Sequence, residues 1–204
     1  MNDEVNMTME NTDRSSGYLE LIAGPMYSGK TSKLLDIYKK YNFCGMKTLV
    51  INYAEDTRYS PDMLSTHEKI MIPCVMGSSL KEVADIVGSS PTKEFADASI
   101  ILINEGQFFK DIVPWVTSAV EEHNKTVYIC GLDGDFQRNR FGDWLDLVPL
   151  CDKVTKLHSF CSMCKRRPAI FSYRVSAEIS QKLIGSDSYI PLCRFCYNLQ
   201  KQGC

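Results

Sequence analysis

Eight residues near the start of the chain, Gly24-Pro25-Met26-Tyr27-Ser28-Gly29-Lys30-Thr31, fit the spacing G-x-x-x-x-G-K-[ST] of a phosphate-binding loop. Each residue type has a physical reason. Gly24 and Gly29 allow turns that a Cβ would obstruct, so that successive backbone N–H groups point at phosphate oxygens. A helix beginning near Lys30 adds unpaired N–H groups and the positive end of its dipole. Lys30 offers a full positive charge to β- and γ-phosphates, and Thr31 a hydroxyl for Mg²⁺. A Gly-rich turn with an incidental Lys-Thr is the plainer reading. The apolar run over residues 19–23 and the helical pattern after the loop favour the phosphate loop, and with it a nucleotide ligand.

A second constellation lies near the carboxyl end. Cys161-Ser162-Met163-Cys164 and Cys193-Arg194-Phe195-Cys196 are paired C-x-x-C knuckles. Two thiolates two residues apart can reach one ion, and four make a closed tetrahedral Zn²⁺ site with no open position for water, hence a structural one. A redox C-x-x-C is the rival, and the presence of two pairs argues against it. Residues 165–192 form a long loop between the knuckles, beyond the commonest separation of about 15–20. Lys165, Arg166 and Arg167 read as a solvated charged turn. Phe171, Ser172, Tyr173, Ile184 and Tyr189 make the loop too apolar to stand free, so it is expected to pack on the nucleotide site.

A third candidate is the corner Asn104-Glu105 after the apolar run 99–103. Phosphate-loop enzymes commonly place a carboxylate at the end of a buried strand to hold Mg²⁺, and a positioned carboxylate can also take the proton of an acceptor hydroxyl. Glu105 suits either role; a surface charge at a helix entry is the bland alternative. Asn104 can accept a hydrogen bond from metal-bound water but brings no charge.

Elements must bring these residues together. Leu34, Leu35, Ile37, Tyr38 and Tyr41 recur at helical spacing, with Gly45 as the stop. Residues 48–53, 99–103 and 126–132 read as strands. Residues 55–68, containing Asp56, Arg58 and His67, are a polar connection near the ligand crevice or a plain solvated loop. Residues 70–74 read as a short edge segment. Ser79 is expected to cap a helix running to about Val87, with Leu80, Val83, Ala84 and Val87 on one face. A helix is expected over 111–123, and residues 148–157 close the core. This alternation predicts an α/β three-layer sandwich with a mainly parallel sheet, its ligand at the carboxyl edge where the strands end. The expected division is a disordered tail over 1–17, a nucleotide-binding domain over 18–157, a zinc-ribbon and loop domain over 158–198 and a tail over 199–204.

Composition narrows the function classes. A net charge of −2 gives no general attraction to nucleic acid or to an anionic membrane. No apolar run approaches the roughly 20 residues of a membrane span. Residues 1–17 have no apolar core and read as neither signal peptide nor anchor. Nine cysteines without a secretion signal indicate a reducing, cytoplasmic setting. The scattered Cys44, Cys74, Cys130, Cys151 and Cys204 read mostly as small buried hydrophobes.

Taken in order, the phosphate loop, Asp56-Thr57-Arg58-Tyr59-Ser60, Glu105-Gly106-Gln107-Phe108-Phe109, Leu132-Asp133-Gly134-Asp135-Phe136-Gln137-Arg138 and the two knuckles resemble the type II (cytosolic, zinc-containing) thymidine kinases over residues 18–197. The resemblance implies a P-loop, RecA-like α/β domain with a zinc-ribbon and lasso domain, and ATP-dependent phosphorylation of thymidine, with deoxyuridine as a further substrate. It implies Glu105 as general base, Lys30 and Arg58 at the transferred phosphate, and residues 24–31, Asp56, Asn104 and Gln107 around nucleotide and Mg²⁺. The deoxynucleoside pocket would be Met26, Phe108, Leu132 and Phe136, closed by a lasso including Phe171, Ser172, Lys182, Leu183, Ile184, Gly185 and Tyr189. It further implies a homotetramer, feedback inhibition by thymidine triphosphate, and no nucleic-acid or membrane partner. Asn104 departs from the family's usual Asp. That departure keeps open a nucleotide-binding protein of the same fold with little kinase activity. A zinc ribbon fused to an ATPase and acting on nucleic acid would need a basic face, which a pI near 5.9 does not support.

Overall fold

The computed structural model describes residues 16–56, 63–65, 70–87, 91–176, 178–181 and 188–202. Strand β1 (Tyr18–Ala23) passes through the 24–29 loop into α1 (Lys30–Phe43), which returns to β2 (Thr48–Tyr53). A short antiparallel ribbon of β3 (Met63–Ser65) and β4 (Met71–Pro73) precedes β5 (Val75–Gly77). Short helices α2 (Leu80–Val83) and α3 (Lys93–Asp97) lead to β6 (Ile100–Ile103), α4 (Ile112–Glu121) and β7 (Thr126–Gly131). A 3-10 segment over Trp144–Leu150 then feeds β8 (Lys153–Lys156).

Strands β5, β2, β6, β7, β1 and β8 form one sheet in that order, and every pairing in it is parallel. The predicted three-layer α/β architecture is present. Side-chain alternation divides the core between the two faces. Leu19, Leu21, Leu49, Ile51, Ile101, Ile103, Val127 and Ile129 face α2, α3 and α4, where Phe95 and Trp115 fill the layer. Ile22, Val50, Ile100, Leu102 and Cys130 face the other way, onto Leu34, Leu35 and Ile37 of α1. Both faces of β6 are fully buried, which is why its sequence is an unbroken apolar run.

The elements differ from the sequence expectation in several places. Ser79 does cap a helix, through a capping box with Glu82. That helix ends at Val83 because Ala84 turns extended (φ −157°), and its carbonyl accepts the Trp115 indole N–H at 2.7 Å. Val87 is therefore exposed, not on a core face. Helix α3 carries little periodicity over five residues, and its start is fixed by the Thr92 hydroxyl accepting from the Phe95 N–H. The segment expected over 148–157 is the end of the 3-10 turn plus β8. Residues 16 and 17 belong to the described chain, while 1–15 lie outside it.

The carboxyl-terminal part adds two small antiparallel ribbons, β9 (Ser159–Phe160) with β10 (Pro168–Ala169) and β11 (Phe171–Arg174) with β12 (Tyr189–Leu192), followed by α5 (Arg194–Gln202). They enclose a separate small core of Ala169, Leu192, Tyr197 and cysteines. Among the described residues no helix is long and apolar enough to cross a membrane.

Trp115 joins the α2–α3 connection to α4, through the Ala84 hydrogen bond and an edge-on contact with Phe95 at 5.6 Å. Trp115→Phe is expected to cost roughly 1–3 kcal/mol through the lost bond and smaller ring. A urea titration reads this directly as a lower midpoint.

Candidate active site

The phosphate loop leaves the carboxyl end of β1 between close neighbours. A Cβ on Gly24 would lie 2.7 Å from both the Leu157 carbonyl oxygen and Ser28 Oγ, so the position accepts only glycine. Tyr27 (φ 61°) and Gly29 (φ 82°) are left-handed, which curls the backbone into a concave run of N–H groups opening onto the first turn of α1. Lys30 Nζ arches back to donate to the Pro25 carbonyl at 2.8 Å. Thr31 follows it in that first turn. Ser28 Oγ is buried and has no hydrogen-bond partner among the described residues. A buried hydroxyl of this kind is costly to leave unpaired, and a phosphate oxygen seated in the loop is a suitable acceptor. The loop therefore fits a nucleotide phosphate.

The second wall is the end of β6. Asn104 is buried and both ends of its amide are engaged: Nδ2 donates to Asn52 Oδ1 at 2.8 Å, and Oδ1 accepts from the Cys130 thiol at 3.0 Å. Burial, and then the negative charge of Glu105, push that thiol up to about 12, while Lys30 pulls it down. Cys130 thus stays protonated and able to donate. The same pair of influences places Lys30 and Glu105 in one electrostatic neighbourhood. Glu105 itself is left-handed (φ 55°), an uncommon state for a residue with a long side chain. Gln107 holds its carboxylate, Nε2 donating to Glu105 Oε2 at 2.6 Å, while Gln107 Oε1 accepts from the Leu132 N–H at 3.0 Å. One amide thereby ties the end of β6 to the end of β7. Asp56 sits just beyond β2, its N–H bonded to the Tyr53 carbonyl.

Aromatic side chains line the space beside this corner. Phe108 packs on Tyr53 at 4.9 Å and edge-on to Phe141 at 5.5 Å. The Leu132 carbonyl accepts from the Trp144 indole, and the Phe136 carbonyl from the Tyr197 hydroxyl at 2.6 Å. The β11–β12 hairpin reaches back to the phosphate loop, where Ser172 Oγ accepts from the Met26 N–H at 2.9 Å.

Cys161, Cys164, Cys193 and Cys196 bring their sulfurs within 4.8 Å of one another. Tetrahedral bonds of about 2.3 Å to one ion put sulfurs roughly 3.8 Å apart, and the Cys164 and Cys193 sulfurs are 3.9 Å apart. The cluster fits a tetrahedral metal. Burial opposes ionisation of Cys161, but N–H groups of Cys193, Cys164 and Met163 outweigh it and bring the thiol to about 6. Donors around Arg166 lower Cys164 likewise. Burial and the neighbouring sulfurs push Cys196 up to about 12, a repulsion that a bound cation would reverse.

Arg58, Lys182, Leu183, Ile184, Gly185 and His67 lie outside the described residues. Phe171 and Ser172 are adjacent in β11. Alternation along β11 puts Phe171 on the face opposite Ser172, against Tyr197 at 5.1 Å. Of the scattered cysteines only Cys130 is buried; Cys44 is exposed after α1, Cys74 and Cys151 are half-buried in edge segments, and Cys204 lies outside the described residues. Sequence reasoning missed Asn52, Cys130, Phe141 and Gly142, whose roles come from strand adjacency that no local motif signals.

Gly142 shows how tightly the corner is built. Its φ is 71°, and a Cβ there would stand 2.2 Å from the Gln107 carbonyl oxygen. Gly142→Ala should displace Gln107 and with it Glu105, costing roughly 1–3 kcal/mol. Urea unfolding measures the cost; an unchanged midpoint would show that the corner yields without strain.

Residues 17–197 match the thymidine kinase family model. The chain is 38% identical over 185 residues to the thymidine kinase of Sheeppox virus (strain KS-1), covering 90% of this chain and 98% of that protein. It is 37% identical over 191 residues to human cytosolic thymidine kinase, covering 93% of this chain and 77% of that protein. Identity to the thymidine kinase of Oryza sativa subsp. japonica is also 37% over 191 residues, at 93% and 69% coverage. With its phosphate loop, carboxylate corner and four-cysteine cluster joined on one scaffold, the chain belongs to the thymidine kinase family.

Proposed function

We propose that this protein transfers the γ-phosphate of ATP to the 5′-hydroxyl of thymidine, giving thymidine monophosphate and ADP. The observation that carries the reading is Glu105, held by Gln107 at the sheet edge that also presents Lys30 and the concave phosphate loop. In this scheme the 5′-oxygen bonds to the γ-phosphorus as the bond from that phosphorus to its bridging oxygen breaks, with the electron pair leaving on ADP. Glu105 accepts the hydroxyl proton. Lys30 and the loop N–H groups stabilise charge on the transferring phosphoryl group, and Arg58 is assigned beside it. Mg²⁺, with Thr31 and Asp56 as candidate partners, would neutralise phosphate charge when bound. Asn104 has both ends of its amide engaged inside the protein, so it is assigned to holding the corner and not to the metal.

Met26, Phe108, Leu132 and Phe136 would form the acceptor pocket, with Ser172, Tyr189 and residues 182–185 closing it. Deoxyuridine would enter the same pocket. Residues 18–157 would be the nucleotide-binding domain and 158–198 the lasso domain, its four cysteines holding a structural Zn²⁺. A cytoplasmic homotetramer inhibited by thymidine triphosphate completes the reading, supported by the family and by relatives named cytosolic.

Purified protein with ATP, Mg²⁺ and labelled thymidine should form labelled monophosphate, and Glu105→Gln should lower kcat by about 10²–10⁴-fold. No product from the parent protein would overturn the reading; full turnover in Glu105→Gln would place the base elsewhere. Metal analysis should find about one zinc per chain, and chelation should open residues 158–202 to proteolysis. A metal-free protein with full activity would remove zinc from the account.

A further inference from the structure

Arg174 is the one buried lysine or arginine among the described residues, 5% exposed, and no carboxylate there pairs with it. Its partners are neutral. Nη1 donates to the Glu178 carbonyl at 2.9 Å and to the Ser180 carbonyl; Nη2 donates to the Gln181 carbonyl at 3.2 Å and to the Tyr189 hydroxyl. Nε is buried without a partner among the described residues. The guanidinium lies 3.9 Å from the Phe136 ring centroid. Gln181 then reaches across to Asp135 Oδ2 at 2.9 Å, and Asp135 in turn accepts from the Gln137 and Asn139 N–H groups that shape the 135–139 loop.

A single planar fork thus holds three carbonyls of residues 178–181, the far strand of the hairpin and the Phe136 ring. Burying a cation without a counter-charge is expensive, and an apolar residue at this position would avoid that cost. A lysine could not reproduce the arrangement, because its point charge cannot span several carbonyls and lie flat on a ring together. The arrangement fixes the shape of residues 178–181 and holds them against Phe136 and Tyr189.

We propose that Arg174 is a positioning residue for nucleoside capture: it orders residues 178–181 and holds Phe136, which the proposed function assigns to the acceptor pocket, leaving the ATP side unaffected. This rests on the thymidine kinase reading above. Arg174→Lys should raise KM for thymidine about tenfold, as expected when charge-assisted bonds that order a loop are lost. KM for ATP and zinc content should stay at parent values. Tyr189→Phe removes one acceptor of the fork and should shift KM for thymidine in the same direction by a smaller factor. Hydrogen exchange over residues 178–181 should quicken in both variants, without any substrate present.

Unchanged exchange over 178–181 in zinc-replete Arg174→Lys overturns the proposal, as does an equal change in both KM values. If Arg174→Lys loses its zinc, Tyr189→Phe decides the matter by the same two readouts. A parent protein inactive on thymidine would defeat the kinase reading alone, because the exchange measurement would still decide whether Arg174 orders the loop.

Discussion

Parallel pairing is the constraint from which the site follows. Parallel strands cannot be joined by tight turns, so each connection crosses a face of the sheet and returns to the same starting edge. Every strand of the six then ends on one side, and Ala23, Tyr53, Ile103 and Gly131 deliver the phosphate loop, Asp56, Glu105 and Leu132 to a shared edge. Strand β7 lies between β1 and β6, so the strand feeding Lys30 and the strand ending at Glu105 are two inter-strand spacings apart, roughly 10 Å. In the proposed reaction the phosphate chain and the acceptor hydroxyl would lie between them.

Side-chain hydrogen bonds fasten the carboxyl-terminal part to the phosphate loop and to the 135–136 segment. Ser172 accepts from Met26 in the phosphate loop, Tyr197 donates to the Phe136 carbonyl, and Gln181 donates to Asp135. The four cysteines set the base of the hairpin, since β11 and β12 run between the two knuckles. A small core of this size cannot supply much stability by itself, and a metal at its centre is the usual remedy. A metal held by these cysteines would cross-link the base of that hairpin.

How much of this was legible in the sequence depends on how local each signal is. The phosphate loop, the knuckles and the β6 run are contiguous, and the structure has them as loop, cluster and buried strand. Glu105 was legible as the carboxylate after that strand. Its left-handed backbone and its bond to Gln107 were not, because they depend on Leu132 arriving from β7. The helix after Ser79 was overextended because Leu80, Val83, Ala84 and Val87 fit the helical period, while the Trp115 indole takes the Ala84 carbonyl and the chain turns there. The opposite facing of Phe171 and Ser172 is not legible either, because it follows from the pairing of β11 with β12. Arg174 left no trace in the sequence, since its acceptors are mostly peptide carbonyls and any residue supplies those.

Asn104 is best understood through its neighbours. It completes a buried polar row with Asn52 of β2 and Cys130 of β7, crossing three adjacent strands on the α1 face. In that row the amide donates on one side and accepts on the other, so each contact is satisfied without any ion. A carboxylate in its place could still accept from Cys130 but could no longer donate to Asn52, whose amide would have to turn over to compensate. It would also set a second negative charge next to Glu105 at a position that is itself buried, where a charge is costly unless a cation meets it. The neutral amide thus leaves Glu105 as the one charge at the end of β6, and makes the rigidity of the corner independent of whether a metal is bound.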